Sequence, residues 1–234
     1  MTSSNSSSEI GEQPRIGLAW QAAELLFDMD GTIIDSIAAV EHAWHRWALM
    51  EGIEPPSTAD FHGRTAADIV SSLLPPERFE AGLKALNELE RQPEVPIPML
   101  PGALELIQSL PTNRWSIVTS ATGSVALARL EHSGLPLPTL LITADAVTRG
   151  KPDPEPYVKG ARWTSDALPA VAFEDTIAGL RSAKAAGCLT VGVTGTHAFE
   201  ELQPYADAVV ESLADVSAHW VEENHLHLRI AGLM

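Results

Sequence analysis

Short apolar runs, each too brief for a helix, recur along the chain at Leu25–Phe27, Trp115–Thr119, Leu140–Thr143, Val171–Phe173 and Thr190–Val193. Runs of this kind, with no polar alternation, predict strands buried on both faces. Between them lie segments with apolar positions at helical spacing: Ala103–Ser109, Ser124–Ser133, Pro154–Arg162 and Ile177–Ala186. Gly134 and Gly187 follow two of these, where a left-handed residue commonly ends a helix. The alternation predicts an α/β fold with a parallel sheet.

One interval breaks the rhythm. Between the first strand and Trp115 the pattern is helical, over Ile37–Met50, Thr65–Leu74 and Arg78–Glu90. The stretch Gln92–Pro101 that follows is too rich in proline for helix or central strand. The economical reading is a helical unit inserted after the first strand, returning through a stiff hinge. Residues 1–15 read as a serine-rich disordered tail, 16–36 and 99–234 as the core, and 37–98 as the insertion.

Composition narrows the function. A chain of 234 residues that is 45% hydrophobic can bury a sizeable core. Its formal net charge of -16 argues against nucleic acid and anionic membrane surfaces as partners. An acidic protein can still bind an anionic small molecule, given a metal ion and a few placed cations. The one cysteine, Cys188, allows no internal disulfide and, flanked by small residues, reads as a core residue. The start lacks a signal peptide's basic and apolar segments, no run reaches the ~20 residues of a membrane span, and the cytoplasm is expected.

In an open parallel sheet, ligands bind beyond the carboxyl ends of the strands. Polar residues gather at those ends here: Asp28 and Asp30 after the first strand, Thr119 and Ser120 after the second, Glu174 and Asp175 after the fourth. Lys151 lies in the loop after the third strand. Singly, each has an ordinary explanation: Asp-x-Asp can cap a turn, Glu174-Asp175 can charge a helix start, and a loop lysine can be solvated. Together they suit a hard divalent cation, magnesium, and a phosphoryl group.

Asp28-Met-Asp-Gly-Thr32, Thr119-Ser120, Lys151-Pro152 and Glu174-Asp175 resemble, in order, the four motifs of the haloacid dehalogenase-like hydrolases. The resemblance spans about Leu25 to Val210 and implies a Rossmann-like parallel sheet core with an inserted alpha-helical cap. Local wording, including His62-Gly63-Arg64 and Gly150-Lys-Pro-Asp-Pro-Glu-Pro-Tyr157, is similar to phosphatases of hexose, hexitol, deoxysugar and glycerol phosphates. It implies that Asp28 is the nucleophile and that Asp30 is the proton donor and acceptor. Ser120, Ala121 and Lys151 would bind the phosphoryl group, and His62 and Arg64 would touch the substrate. Asp28, the Asp30 carbonyl, Asp175 and, directly or at one remove, Glu174 would hold Mg2+. A monomer is expected.

The same resemblance frames the alternatives. Dehalogenases lack the second aspartate of the first motif, and phosphonatases replace it, so Asp30 argues against both. A beta-phosphoglucomutase shares core and cap, but its cap histidine and cap arginine fall here on Val40 and Ala66. A non-catalytic phosphosugar-binding protein would not need a nucleophile. Trp44 and Trp47 read as packing inside the cap, His42 and His45 as surface residues, and His219, His225 and His227 as outside any catalytic site.

Overall fold

The computed structural model describes residues 15–56, 65–162, 168–221 and 225–233. Strands form where the apolar runs predict them: β2 (Glu24–Phe27), β3 (Trp115–Val118), β4 (Leu141–Ile142), β5 (Ala170–Glu174) and β6 (Leu189–Val193). With β7 (Ala208–Val210) they build one six-stranded sheet in the order β4-β3-β2-β5-β6-β7, parallel throughout. Every residue of β2, β3 and β5 is buried, which is why their sequences show no polar alternation. Helices α4 (Ala103–Gln108), α5 (Gly123–Ser133), α6 (Glu155–Gly160) and α7 (Ile177–Ala185) make the crossovers, and a short α8 (Phe199–Leu202) precedes β7. Phe27 and Phe173 stack at 5.0 Å where the two central strands meet.

The insertion holds three helices: α1 (Ile37–Glu51), α2 (Ala66–Leu73) and α3 (Pro76–Arg91). They pack on a core of their own, with Trp44, Trp47, Ile69, Val70, Leu74 and Leu86 buried. The two tryptophans meet edge to face at 5.3 Å, and the Trp47 indole N–H donates to the Gly82 carbonyl at 2.8 Å, deep inside the cap. His42 is half-buried and His45 exposed. The outgoing and returning chains run side by side: Asp35 N–H donates to Pro98 O at 2.8 Å, and Leu100 N–H to Ile33 O at 3.0 Å.

A second sheet was not legible as such. β1 (Arg15–Ala22), β8 (Val216–Val221) and β9 (His225–Leu233) form an antiparallel sheet in the order β1-β9-β8. Leu226, Leu228 and Ile230 face inward and join the principal core with Trp115 and Leu110. His225 and His227 alternate with them, and their Nε2 atoms lie 3.0 Å apart. Cys188 is buried in the core, and burial pushes its thiol up to about 12, with Glu24 adding to the effect, so it is unreactive.

Candidate active site

The site starts where β2 ends. Asp28 N–H donates to Phe173 O at 2.9 Å, continuing the ladder by one residue, and the chain then turns sharply. Three successive amides, of Thr32, Ile33 and Ile34, point at the Met29 carbonyl at 3.4, 3.1 and 3.1 Å. Gly31 makes the turn possible at φ 84°, and a Cβ there would lie 2.2 Å from Asp175 Oδ2. Backbone freedom and lack of a side chain are both needed at this position.

Lys151 ties three strand ends together. Its Nζ donates to Asp28 Oδ1 at 2.6 Å, Glu174 Oε1 at 2.5 Å and the Val118 carbonyl at 2.9 Å, which uses all three ammonium protons. Its side chain is 2% exposed. Burial alone would lower its pKa, but the Asp28 and Glu174 carboxylates outweigh burial and hold it above the ordinary value. Glu174 is fully buried, and protein donors occupy both its oxygens: Tyr157 OH joins Lys151 on Oε1 at 2.6 Å, and Thr176 Oγ1 donates to Oε2 at 3.1 Å. Gly179 of α7 leaves room for this carboxylate, since a Cβ there would sit about 2.0 Å from either oxygen.

Asp175 completes an acid cluster. One oxygen from each of Asp28, Glu174 and Asp175 can be chosen so that all lie within 4.8 Å of one another. Among the described residues no other trio of His, Cys, Asp or Glu is so placed. Burial pushes the Asp28 carboxyl well above its ordinary value despite Lys151, and burial with the Glu174 charge lifts Asp175 to about 7. Thr32 Oγ1 reaches Asp175 Oδ1 at 3.4 Å, so this hydroxyl bonds across to the fourth motif. Asp175 Oδ2 and the adjacent Thr196 Oγ1 are buried with no hydrogen bond of good geometry. Three buried carboxylates against one ammonium, with a carboxylate oxygen to spare, fit a hard divalent cation.

Asp30 stands apart from that cluster. Its carboxylate accepts from Ser36 Oγ at 2.5 Å, Arg129 Nη1 at 2.8 Å and Thr119 Oγ1 at 3.5 Å. Arg129 reaches on to Glu90 Oε1 of the cap at 2.9 Å. Ser120 and Ala121 lie just beyond β3, and Ala121 N–H donates to Thr119 Oγ1 at 3.1 Å. One pocket is lined by Asp28, Asp30, Ser120, Ala121, Lys151 and Asp175 from the core, and by Val40, Trp44, Ala66 and Glu90 from the cap. The sequence-predicted positions His62 and Arg64 lie outside the described residues.

A family model for the haloacid dehalogenase-like hydrolases matches residues 25–193, which includes all four strand-end clusters. The chain belongs to this family. Its similarity to E. coli hexitol phosphatase A is 37% identity, over 82% of this chain and 92% of the other. With glycerol-1-phosphate phosphohydrolase 2 of Saccharomyces cerevisiae it is 31% over 88% and 84%. The solved structure of a hydrolase from Pseudomonas syringae superposes with a TM-score of 0.67 at 26% identity, over 82% of this chain and 94% of that one.

Against this haloacid dehalogenase-like frame, several residues at the site escaped the sequence reading. Arg129 and Glu90 are charged residues on the apolar sides of α5 and α3, beside the buried Leu130 and Leu86. A charge on an apolar helix face was the available signal. Ser36, Tyr157 and Thr196 were given no role, although Tyr157 ends the stretch similar to the sugar-phosphate phosphatases, because their places at the site depend on how loops and helices pack.

Proposed function

We propose that this chain is a magnesium-dependent phosphatase that hydrolyses small sugar or polyol phosphates through an aspartyl-phosphate. The observation that carries the reading is the salt bridge of Lys151 to Asp28 beside Asp175, under a pocket whose cap wall is largely apolar, with Glu41 and Glu90 its charged members. The names of the similar proteins, hexitol phosphatase and glycerol-1-phosphate phosphohydrolase, support it.

Asp28 attacks phosphorus: an Asp28 O–P bond forms, the P–O bond to the sugar breaks, and Asp30 gives its proton to the departing alkoxide. Water then attacks the phosphoaspartate, its proton passes to Asp30, and inorganic phosphate leaves with Asp28 restored. Lys151 holds Asp28 in place and offsets charge on the phosphoryl oxygens. Ser120 and the amides beside Ala121, at the start of α5, bind those oxygens. Asp28, the Asp30 carbonyl and Asp175 would hold Mg2+, with Glu174 acting through Lys151 because its own oxygens are occupied. When bound, that cation supplies the positive charge under which Asp28 and Asp175 can be ionised together and the phosphate can approach.

A mutase would have to activate a sugar hydroxyl with cap groups. At the two positions in question this pocket is lined by Val40 and Ala66, whose side chains neither donate nor accept. The test is phosphate release from a panel of hexitol, hexose, deoxyhexose and glycerol phosphates, with magnesium and with EDTA. Beta-glucose 1-phosphate with a bisphosphate primer completes the panel. Stoichiometric phosphate, lost in chelator, is expected. Glucose 6-phosphate as the main product, or full activity in EDTA, would overturn the reading.

A further inference from the structure

Both chain connections between cap and core are tied to the Asp30 carboxylate. On the outgoing side, Ser36 is the residue before α1, and its hydroxyl donates to Oδ1 at 2.5 Å. On the returning side, Glu90 lies at the end of α3, directly before the proline-rich return. It reaches Asp30 through Arg129, which donates from Nη1 to Asp30 at 2.8 Å and from Nη2 to Glu90 at 2.9 Å. Arg129 is 5% exposed and Glu90 8%, and the Trp44 side chain hydrogen-bonds Glu90 from α1. Cap and core meet again beside this pair, where Thr122 Oγ1 lies 3.4 Å from Asn87 Oδ1.

An arginine suits this task better than a lysine. The guanidinium is a rigid planar fork whose two ends grip two carboxylates in fixed relative orientation. Arg129 is buried and already faces two carboxylates, one from each unit. It lines the pocket, but its charge is already offset by these two carboxylates.

We propose that Arg129 is a positioning residue that couples the seating of the cap to the orientation of Asp30, with Glu90 as the sensing group. The proposal rests on the reading of Asp30 as proton donor given above. With the cap seated, Glu90 fixes one arm of the guanidinium and the other arm sets the Asp30 carboxylate against the pocket. With the cap lifted, Glu90 departs and Arg129 turns freely with its remaining partner. Proton donation is thereby confined to the closed state, where the leaving alkoxide is enclosed.

The test compares two leaving groups. A polyol phosphate needs a proton as it departs, and 4-nitrophenyl phosphate does not, so kcat/KM reports the first half-reaction with and without demand on Asp30. Glu90→Gln and Arg129→Met should each lower kcat/KM for hexitol phosphate by about 10–100-fold, the loss typical of a misplaced reacting group, and change the aryl ester by less than about 3-fold. Arg129→Lys should resemble Arg129→Met. The double variant Arg129→Met/Glu90→Leu should be no worse than Arg129→Met alone, because the two act as one unit. Equal losses on both esters with a lowered melting temperature would overturn the coupling in favour of a structural role. A raised KM for hexitol phosphate in Arg129→Met but not in Glu90→Gln would overturn it in favour of direct substrate contact. Asp30→Asn, run in parallel, separates the two readings. If it lacks the leaving-group signature, the role of Asp30 fails. If it has the signature and Glu90→Gln does not, the coupling alone fails.

Discussion

Asp28 occupies a place that burial and three neighbouring acids make hostile to a carboxylate, with Lys151 alone opposing them. Asp28→Asn should therefore abolish turnover and leave the melting temperature in EDTA unchanged or higher, since one buried charge is removed while the shape stays. Phosphate release and a thermal melt on the same preparation check both halves, and a tenth of the parent activity would refute the nucleophile. Gly179→Ala is a test at a distance from the chemistry. The added Cβ would run into a Glu174 carboxylate pinned by Lys151, Tyr157 and Thr176, so we expect a cost of about 1–3 kcal/mol. At about 2–4 °C per kcal/mol this is readable in a melt, and activity should fall with it as Lys151 is displaced. At this scale the sequence was informative where a residue's position along a strand already implied its surroundings. Asp28, Glu174 and Asp175 sit at strand ends and Lys151 in the loop after one, and the sheet brings them together. Arg129 and Glu90 owe their meeting to the docking of two units, which no local pattern records.

The cap is a small three-helix body around Trp44, Trp47 and Leu86, with its own core. Trp47 is wholly buried there and its indole N–H is satisfied by Gly82, so Trp47→Ala should cost about 3–5 kcal/mol. The damage should be local. Limited proteolysis is expected to cut between 37 and 98 first, and turnover of a polyol phosphate to fall more than that of a small aryl ester. Simultaneous cleavage of cap and core would show instead that the two unfold as one. The helices and parallel strands were legible because both carry strong periodic signals. The outer antiparallel strands were not: β1 places Gly17 and Ala19 between its apolar residues, β8 mixes Val216, Trp220 and Val221 with Ser217, Ala218 and His219, and the pairings of β1 are all long-range. The return at Gln92–Pro101 was legible as irregular, but its pairing of Met99 with Ile34 depends on the outgoing chain lying beside it.

For the molecule as a whole, the formal charge of -16 and the buried acid cluster make stability and metal binding parts of one equilibrium. Burial and Glu174 raise Asp175 from 3.8 to about 7. Between those values the folded chain binds more protons than the unfolded one, so stability from this group is complete below about pH 4 and lost as pH rises through about 7. Magnesium should reverse the loss, because it competes with the proton for the same oxygens. The difference in melting temperature between magnesium and EDTA should thus be near zero at pH 5 and several degrees at pH 8. A difference that is flat or shrinks over that range would contradict the site. Among the described residues no helix is long and apolar enough to cross a membrane. The pairing of β1 with β9 bears on the birth of the protein as well as its final form. Arg15 finds its partner in Leu233 and Ala22 in Leu226, so β1 leaves the ribosome long before the strand it pairs with. At about 5–20 residues per second, β1 waits roughly 10–40 s with Ile16, Leu18 and Trp20 uncovered. During that interval it is an open strand edge of the kind that invites chaperones or neighbouring chains.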